Sequence, residues 1–172
     1  FVEQENVWQQ LDLNTAFDSL ENAEAAATVI DVFVCPSSLR GHQTSNNRGP
    51  CDYGGIYGER ITSPNNPPKG TMLHDVAIAL RDVTDGSSHT LIIAEDSGWT
   101  DGQWINGRNI FDQAFPINQA PVFENDIRSE HPQGANAARC DGSVGFLSEA
   151  IDLQVLAALC TRAGGETNTT ID

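Results

Sequence analysis

The hydrophobic and polar positions of the chain form short periodic stretches separated by long polar segments. Three apolar residues within positions 7–11 are spaced as on one face of a helix, and an Ala-rich stretch at 20–29 favours a second helix. The β-branched run 29–34 predicts a strand, and residues 90–94 predict a second, buried strand. Helices and strands are therefore both expected.

The clearest local signal lies at residues 135–148. Asp141-Gly142 separates two segments of strand character, and this pair suits a two-residue type I′ turn, in which both central residues take positive φ. Asp152 is a plausible N-cap for a closing helix that the glycines at 164–165 would end. The apolar face of that helix consists of Ile151, Val155, Leu156 and Leu159.

The segments between these elements carry many turn residues. Residues 36–70 are rich in Pro, Gly, Ser and Asn, and residues 106–130 are polar, so little regular structure is expected in either. Residues 97–105 predict a small hairpin or a folded loop around Asp101-Gly102. A length of 172 residues suits one domain.

The charge of the chain is strongly negative. Nine Lys and Arg against 24 Asp and Glu give a net charge of −15, which excludes the usual binding of nucleic acid through clustered basic residues. The acidity keeps the chain soluble, and it would also attract divalent cations. We therefore consider a calcium site at Asp82, Asp85, Asp96 and Asp101, with turn and cap residues facing water as the alternative.

Four cysteines, at positions 35, 51, 140 and 160, form no Cys-x-x-Cys pair. Disulfides are favoured over thiolate zinc sites. Pairing Cys35 with Cys51 and Cys140 with Cys160 would close two short loops, each worth about 3 kcal/mol. This is one of three possible pairings, and four buried reduced thiols are the alternative.

Signatures of common enzymes are absent from the sequence. A hydrolase could recruit Ser87 or Ser88 with a histidine and an aspartate, namely His89 or His131 and Asp85 or Asp141, although these serines are also ordinary turn formers. Because Pro132 biases His131 towards extended geometry, that imidazole could hydrogen-bond across a turn and anchor the loop that enters the hairpin. The alternative is that His131 is a ligand or a recognition group for a partner. Trp99, Trp104, Tyr53 and Tyr57 could stack on sugar rings or pack in the core.

Several motifs occur in one order along the chain. They are Val2–Val7, Phe33–Ser38 with its Cys-Pro-Ser, Asp52–Gly55, Val83–Glu95 with Asp85-Gly86, and Ser129–Ser148 with His131, nine residues, and Asp141-Gly142. Together they resemble the DUF1559 or H-x9-DG family of prepilin-like proteins of planctomycete-type bacteria. The resemblance spans nearly the whole chain. It departs at His89, where many relatives have Asn, and at Cys140, where many have Ala.

The resemblance implies an α+β, pilin-like domain in the periplasm or outside the cell, preceded by a hydrophobic anchor helix that is missing here. We expect an antiparallel sheet packed on helices, with the Asp141-Gly142 hairpin near its centre and long loops tied by disulfides. The implied function is a non-enzymatic pseudopilin or minor pilin of a type II secretion or type IV pilus-like system. Its partners would be other pilin-like subunits. A secreted carbohydrate-binding module is the alternative, and no cofactor other than calcium is expected.

Overall fold

A five-stranded sheet organises the molecule, for which a computed structural model describes residues 2–166. Its strands are β1 (Tyr53–Glu59), β2 (Leu91–Glu95), β3 (Ile110–Gln113), β4 (Gly134–Arg139) and β5 (Val144–Ser148), in the order β3-β1-β2-β4-β5. β1 and β3 run parallel, whereas the other neighbours are antiparallel. The fold is therefore mixed α/β with few helices, and the expectation of a purely antiparallel sheet is wrong at β1 and β3.

The helices are short: α1 (Glu5–Trp8), α2 (Ala23–Ala26) and α3 (Leu153–Leu159). The strand predicted at 29–34 is wrong, because Asp31–Phe33 is a 3₁₀ turn. Among the described residues, no strand pairs with this segment; instead, the backbone N–H of Asp52 donates to the Phe33 carbonyl at 2.8 Å. Within the described residues, no helix is long and apolar enough to span a membrane.

Helix α3 closes one face of the sheet, as the sequence predicts. The Asp152 carboxylate accepts hydrogen bonds from the backbone N–H groups of Gln154 and Val155, which confirms it as the N-cap. Leu156 and Leu159 are almost completely buried. They pack in one apolar cluster whose sheet residues are Ile56, Leu91, Ala94, Phe111, Ala135, Ala137 and Leu147. We call this side of the sheet the core face.

The predicted hairpin joins β4 to β5, but it differs from the expectation in two respects. It lies at an edge of the sheet rather than at its centre, because β5 is the last strand. Only Gly142 of the turn has positive φ, at 85°. The N–H of Gly142 donates to the Arg139 carbonyl, and the N–H of Arg139 donates to the Ser143 carbonyl, which is the pattern of a three-residue loop with a glycine bulge.

Two strands occur where loops are expected. β1 lies within 36–70 and β3 within 106–130, and the glycines of β1 hide its strand character. Gly54 is needed there because a Cβ atom would come within 2.8 Å of the Phe111 ring of β3. Close approach of the two strands therefore depends on a residue that lowers strand propensity.

The opposite side of the sheet, which we call the open face, is only partly covered. Strand pairing places Ile93, Ala138 and Val144 in one row, and alternation along the strands adds Glu95 and Phe146 to the same face. Val144 is 70% exposed and Phe146 is 49% exposed. This face therefore presents apolar side chains to solvent beside the β5 edge.

Candidate functional site

Three side chains that are far apart in sequence converge at one end of the open face. Cys35 follows the 3₁₀ turn, Glu95 is the last residue of β2, and His131 lies in the turn before β4. The Glu95 Oε1 atom is 3.2 Å from the Cys35 sulfur and 3.1 Å from the His131 Nε2 atom. The Cys35 sulfur is 3.5 Å from the same Nε2 atom.

A buried ion pair positions Cys35. The backbone N–H of Cys35 donates to Asp52 Oδ2 at 2.9 Å, and the other Asp52 oxygen accepts from Arg40 Nε at 3.1 Å. The Arg40 guanidinium also donates to the backbone carbonyls of Trp99 and Gly102. The loop that carries Cys35 is thereby tied to β1 and to residues after β2.

The other two side chains are held by the β4 segment. The backbone N–H of Asn136 donates to Glu95 Oε2 at 2.6 Å, and the Asn136 Nδ2 atom lies 3.4 Å from both Glu95 oxygens. The shorter contacts of Oε1 are those with Cys35 and His131. Ser129 accepts from the His131 backbone N–H and donates to the Gly134 carbonyl, which fixes the turn. Cys35 and Glu95 are buried, whereas the His131 side chain is 28% exposed.

Electrostatics keep the Cys35 sulfur protonated in the free protein. Burial raises the pKa of the Cys35 thiol, and the Glu95 and Asp52 carboxylates raise it further. Burial, together with these same charges, raises the pKa of Tyr53 to about 12. The thiol is therefore not activated as a nucleophile.

The geometry also differs from a catalytic relay. In a relay the imidazole uses one nitrogen for the nucleophile and the other for the acid, whereas both Cys35 and Glu95 contact Nε2 of His131 here. The three atoms instead converge as metal ligands do. Among residues 2–166, this is the one group of three or more such side chains whose ligand atoms lie within 4.8 Å of one another.

In the sequence these three residues lie far apart, and no known motif spacing connects them. Each lies in one of the motifs on which the family resemblance rests: Cys35 in Cys-Pro-Ser, Glu95 at the end of 83–95, and His131 at the start of the terminal motif. That shared property is the available signal. The backbone N–H of His131 bonds to Ser129 in the turn before β4, and its Nε2 atom contacts Glu95. The turn contact agrees with the anchoring interpretation, whereas the ligand interpretation stays a prediction.

The expected disulfides are not confirmed, because all four cysteines are free thiols. Cys35 contacts Glu95, and the Cys51 thiol donates to the Tyr53 carbonyl at 3.2 Å. Cys160 is completely buried in the apolar cluster beside α3, whereas Cys140 is partly exposed in the hairpin loop. The loops are held by hydrogen bonds and the Arg40–Asp52 ion pair instead.

The Asp-Gly motifs have structural contacts. The Asp85 carboxylate accepts from the backbone N–H groups of Gly164 and Gly165, at 2.7 and 2.9 Å, and so holds the segment after α3. Gly86 has a φ of 100° and turns the chain into β2. The backbone N–H of Asp141 donates to the Ser87 carbonyl, which joins the two motif turns.

The aspartates considered for calcium have separate surroundings. Asp82 caps a 3₁₀ turn at Ala79, Asp85 binds the glycines after α3, and Asp101 accepts from Asn46. Asp96 is buried, and both of its carboxylate oxygens lack a hydrogen-bond partner among the described residues. The structure thus does not gather these four carboxylates into one cluster.

The aromatic candidates separate into different places. Tyr57 and Trp99 line a cavity of about 340 Å³ next to β1 and β3, together with His74 and Phe123. Trp104 lies elsewhere, with its Nε1 donating to the Thr28 carbonyl at 2.8 Å. Tyr53 is paired with Glu95 across β1 and β2, which places it beside the Cys35 cluster.

The hydrolase candidates do not form a relay among residues 2–166. Ser88 Oγ is 3.2 Å from Nδ1 of His89, and both residues are exposed. No carboxylate bonds to that imidazole within this range, and Asp85 is bound to the glycines after α3.

Comparisons with known proteins identify a family. No curated protein and no solved structure matches the chain. A family model described as "Protein of unknown function (DUF1559)" matches residues 1–154, which include Cys35, Glu95, His131 and both Asp-Gly motifs. The chain therefore belongs to the DUF1559 family.

Proposed function

We propose that the chain is a non-enzymatic structural subunit of a pilin-like assembly in the bacterial envelope, of the type II secretion or type IV pilus kind. The observation that carries the proposal is the group of exposed apolar side chains Ile93, Val144 and Phe146 on the open face. They lie next to the outer edge of β5, which pairs with no further strand among residues 2–166. Exposed apolar residues beside an unpaired strand edge are typical of surfaces that bind another chain.

The occupant that we propose for this surface is a second pilin-like subunit of the same kind. Copies with a net charge of −15 repel one another, so added salt should strengthen their association by screening. A basic partner would show the opposite salt dependence, because salt weakens attraction between unlike charges. The sign of the salt effect therefore separates the two kinds of partner.

Photo-crosslinking tests the surface directly. A photo-reactive amino acid replaces Val144 in cells that make the natural gene product, and the matched control replaces Val122, which is 75% exposed against 70% for Val144. We expect adducts with pilin-like subunits from position 144 and few from 122. Equal labelling from both positions, or none from 144, would contradict the proposal.

A glycan-binding role is the second candidate, supported by the aromatic cavity. Tyr57, Trp99 and Phe123 line it beside Asp112 and Asn125, and Asn125 Oδ1 lacks a hydrogen-bond partner among the described residues. Aromatic faces next to polar groups suit sugar rings. A glycan panel should change the tryptophan fluorescence of the wild type and of Trp104→Phe, but not that of Trp99→Phe. No response to any glycan would count against this role.

A further inference from the structure

We propose that Cys35, Glu95 and His131 bind a divalent transition-metal ion, and that zinc is the ion which this ligand set suits best. The proposal goes beyond the assembly role, because it concerns a site at the end of the open face rather than the exposed side chains of Ile93, Val144 and Phe146. It predicts one ion per chain, held by one sulfur, one nitrogen and one oxygen atom.

The distances between the three atoms support metal binding. With usual zinc bonds of about 2.3 Å to sulfur and about 2.0–2.2 Å to nitrogen and oxygen, a tetrahedral site separates its ligand atoms by about 3.4–3.6 Å. The observed separations are 3.1, 3.2 and 3.5 Å. Shifts of a few tenths of an ångström would therefore suffice to admit the ion.

The chemistry of the ligands selects the class of ion. A thiolate favours zinc and other softer transition metals, imidazole suits the same ions, and one carboxylate completes a set that calcium and magnesium do not prefer. Binding would release the Cys35 proton to solvent and would require the imidazole proton to lie on Nδ1 of His131. Zinc takes a fourth ligand, which at this site would be a water molecule that enters beside the partly exposed His131.

Neighbouring residues would orient the ligands. The backbone N–H of Asn136 binds Glu95 Oε2 at 2.6 Å, whereas Oε1 has only a long 3.4 Å contact with the Asn136 side chain and would be the oxygen that binds the ion. Asp52 fixes the backbone of Cys35. Such outer contacts are typical of metal sites. In the free protein, by contrast, the thiol and the Nε2–H group of the imidazole can both donate to the single oxygen Oε1, so two hydrogen bonds would hold the cluster without an ion.

Cobalt(II) titration distinguishes these two states. The complete chain, treated with a chelator and free of any histidine tag, is titrated with Co²⁺, and zinc is then added as a competitor. The variants are Cys35→Ser, Glu95→Gln and His131→Ala. The matched control is Cys140→Ser, which removes a partly exposed thiol outside the cluster.

We expect the wild type and Cys140→Ser to bind one Co²⁺ with a thiolate-to-cobalt charge-transfer band that zinc abolishes. Cys35→Ser should lose that band, whereas Glu95→Gln and His131→Ala should keep it but need at least about tenfold more Co²⁺. A wild type without the band would overturn the proposal even if the variants fail to fold. Equal binding by Cys35→Ser and the wild type would overturn it as well.

Discussion

The two faces of the sheet are stabilised by different forces. On the core face, Leu91 and Leu147 have no exposed surface, and they belong to the same buried apolar cluster as Leu156 of α3. On the open face, Phe146 is half exposed. The buried part of this face is a polar cluster around Glu95 that is held by hydrogen bonds. Apolar burial thus stabilises the core face, whereas the open face leaves Val144 and Phe146 exposed to solvent.

The largest expected effect concerns the polar support of the open face. Arg40→Ala leaves the fully buried Asp52 carboxylate without its ion-pair partner, which should lower the free energy of unfolding by about 3–5 kcal/mol. Urea unfolding measures this loss. Arg81→Ala removes a guanidinium that is 87% exposed, and should change stability by about 0.5 kcal/mol or less. Similar losses for both variants would show that the buried pair has no special role.

Two adjacent residues of β5 compare the faces directly. Leu147→Ala opens a cavity on the core face and should cost about 2–5 kcal/mol in urea unfolding. Phe146→Ala, one residue away on the open face, removes a larger side chain but should cost about 1 kcal/mol. If Phe146→Ala were the more damaging change, the open face would contribute as much to the fold as the core face.

The third prediction concerns a buried carboxylate in the segment that covers the core face. Burial raises the pKa of Asp126 to about 6, although the backbone N–H groups of Ala114 and Phe115 donate to it. Since this pKa is above the usual value of 3.8, the stability that the protonated carboxyl contributes is complete below pH about 4 and is lost as the pH rises through about 6.

Asp126→Asn keeps an oxygen for those two N–H groups and removes the titration. The variant should therefore be more stable than the wild type above pH about 6, by up to about 3 kcal/mol, with a smaller difference near pH 4. Chemical unfolding across this pH range measures the free energy of unfolding of both chains. Asp101→Asn makes the same charge change at an exposed position and is the matched control; an equal gain in stability from this variant would contradict the role given to Asp126.

The smallest expected effect is at the start of α3. Asp152→Ala removes the side chain that accepts from Gln154 and Val155, and should cost about 1 kcal/mol. Asp152→Ser retains a capping oxygen and should recover most of that loss. Thermal unfolding followed by circular dichroism compares the three chains; equal melting temperatures would show that α3 is held by packing alone.

The sequence predicts the elements whose signals are local. Strand β2, the β4–β5 hairpin and the N-cap at Asp152 follow from short patterns of apolar, turn and cap residues. Strands β1 and β3 were not predictable in this way, because their pairing depends on Gly54 and on Phe111, which contact each other only in the folded chain. Residues 29–34 show the opposite error. Their apolar pattern is compatible with a strand, but among the described residues no strand pairs with them, and Asp31–Phe33 forms a 3₁₀ turn.

The candidate site is harder to predict from the sequence than the strands and helices are. His131 stands out as a motif residue, but Cys35 is first read as half of a disulfide and Glu95 as the end of a strand. Their convergence depends on the pairing of β2 with β4 and on the Asp52–Arg40 ion pair. Neither contact follows from a recognisable spacing of residues in the sequence. Family motifs identify the residues, and only the fold brings them together.

The separation of these residues along the chain also bears on how the protein folds. The contacts of Cys35 with Glu95 and His131 span 60 and 96 positions, so they form only after long loops have closed. Contacts of this kind slow folding relative to local hairpins and helices. During synthesis, the Cys35 thiol therefore stays accessible until the segments that follow it have been made, and the complete sheet then shields it from the surrounding solution.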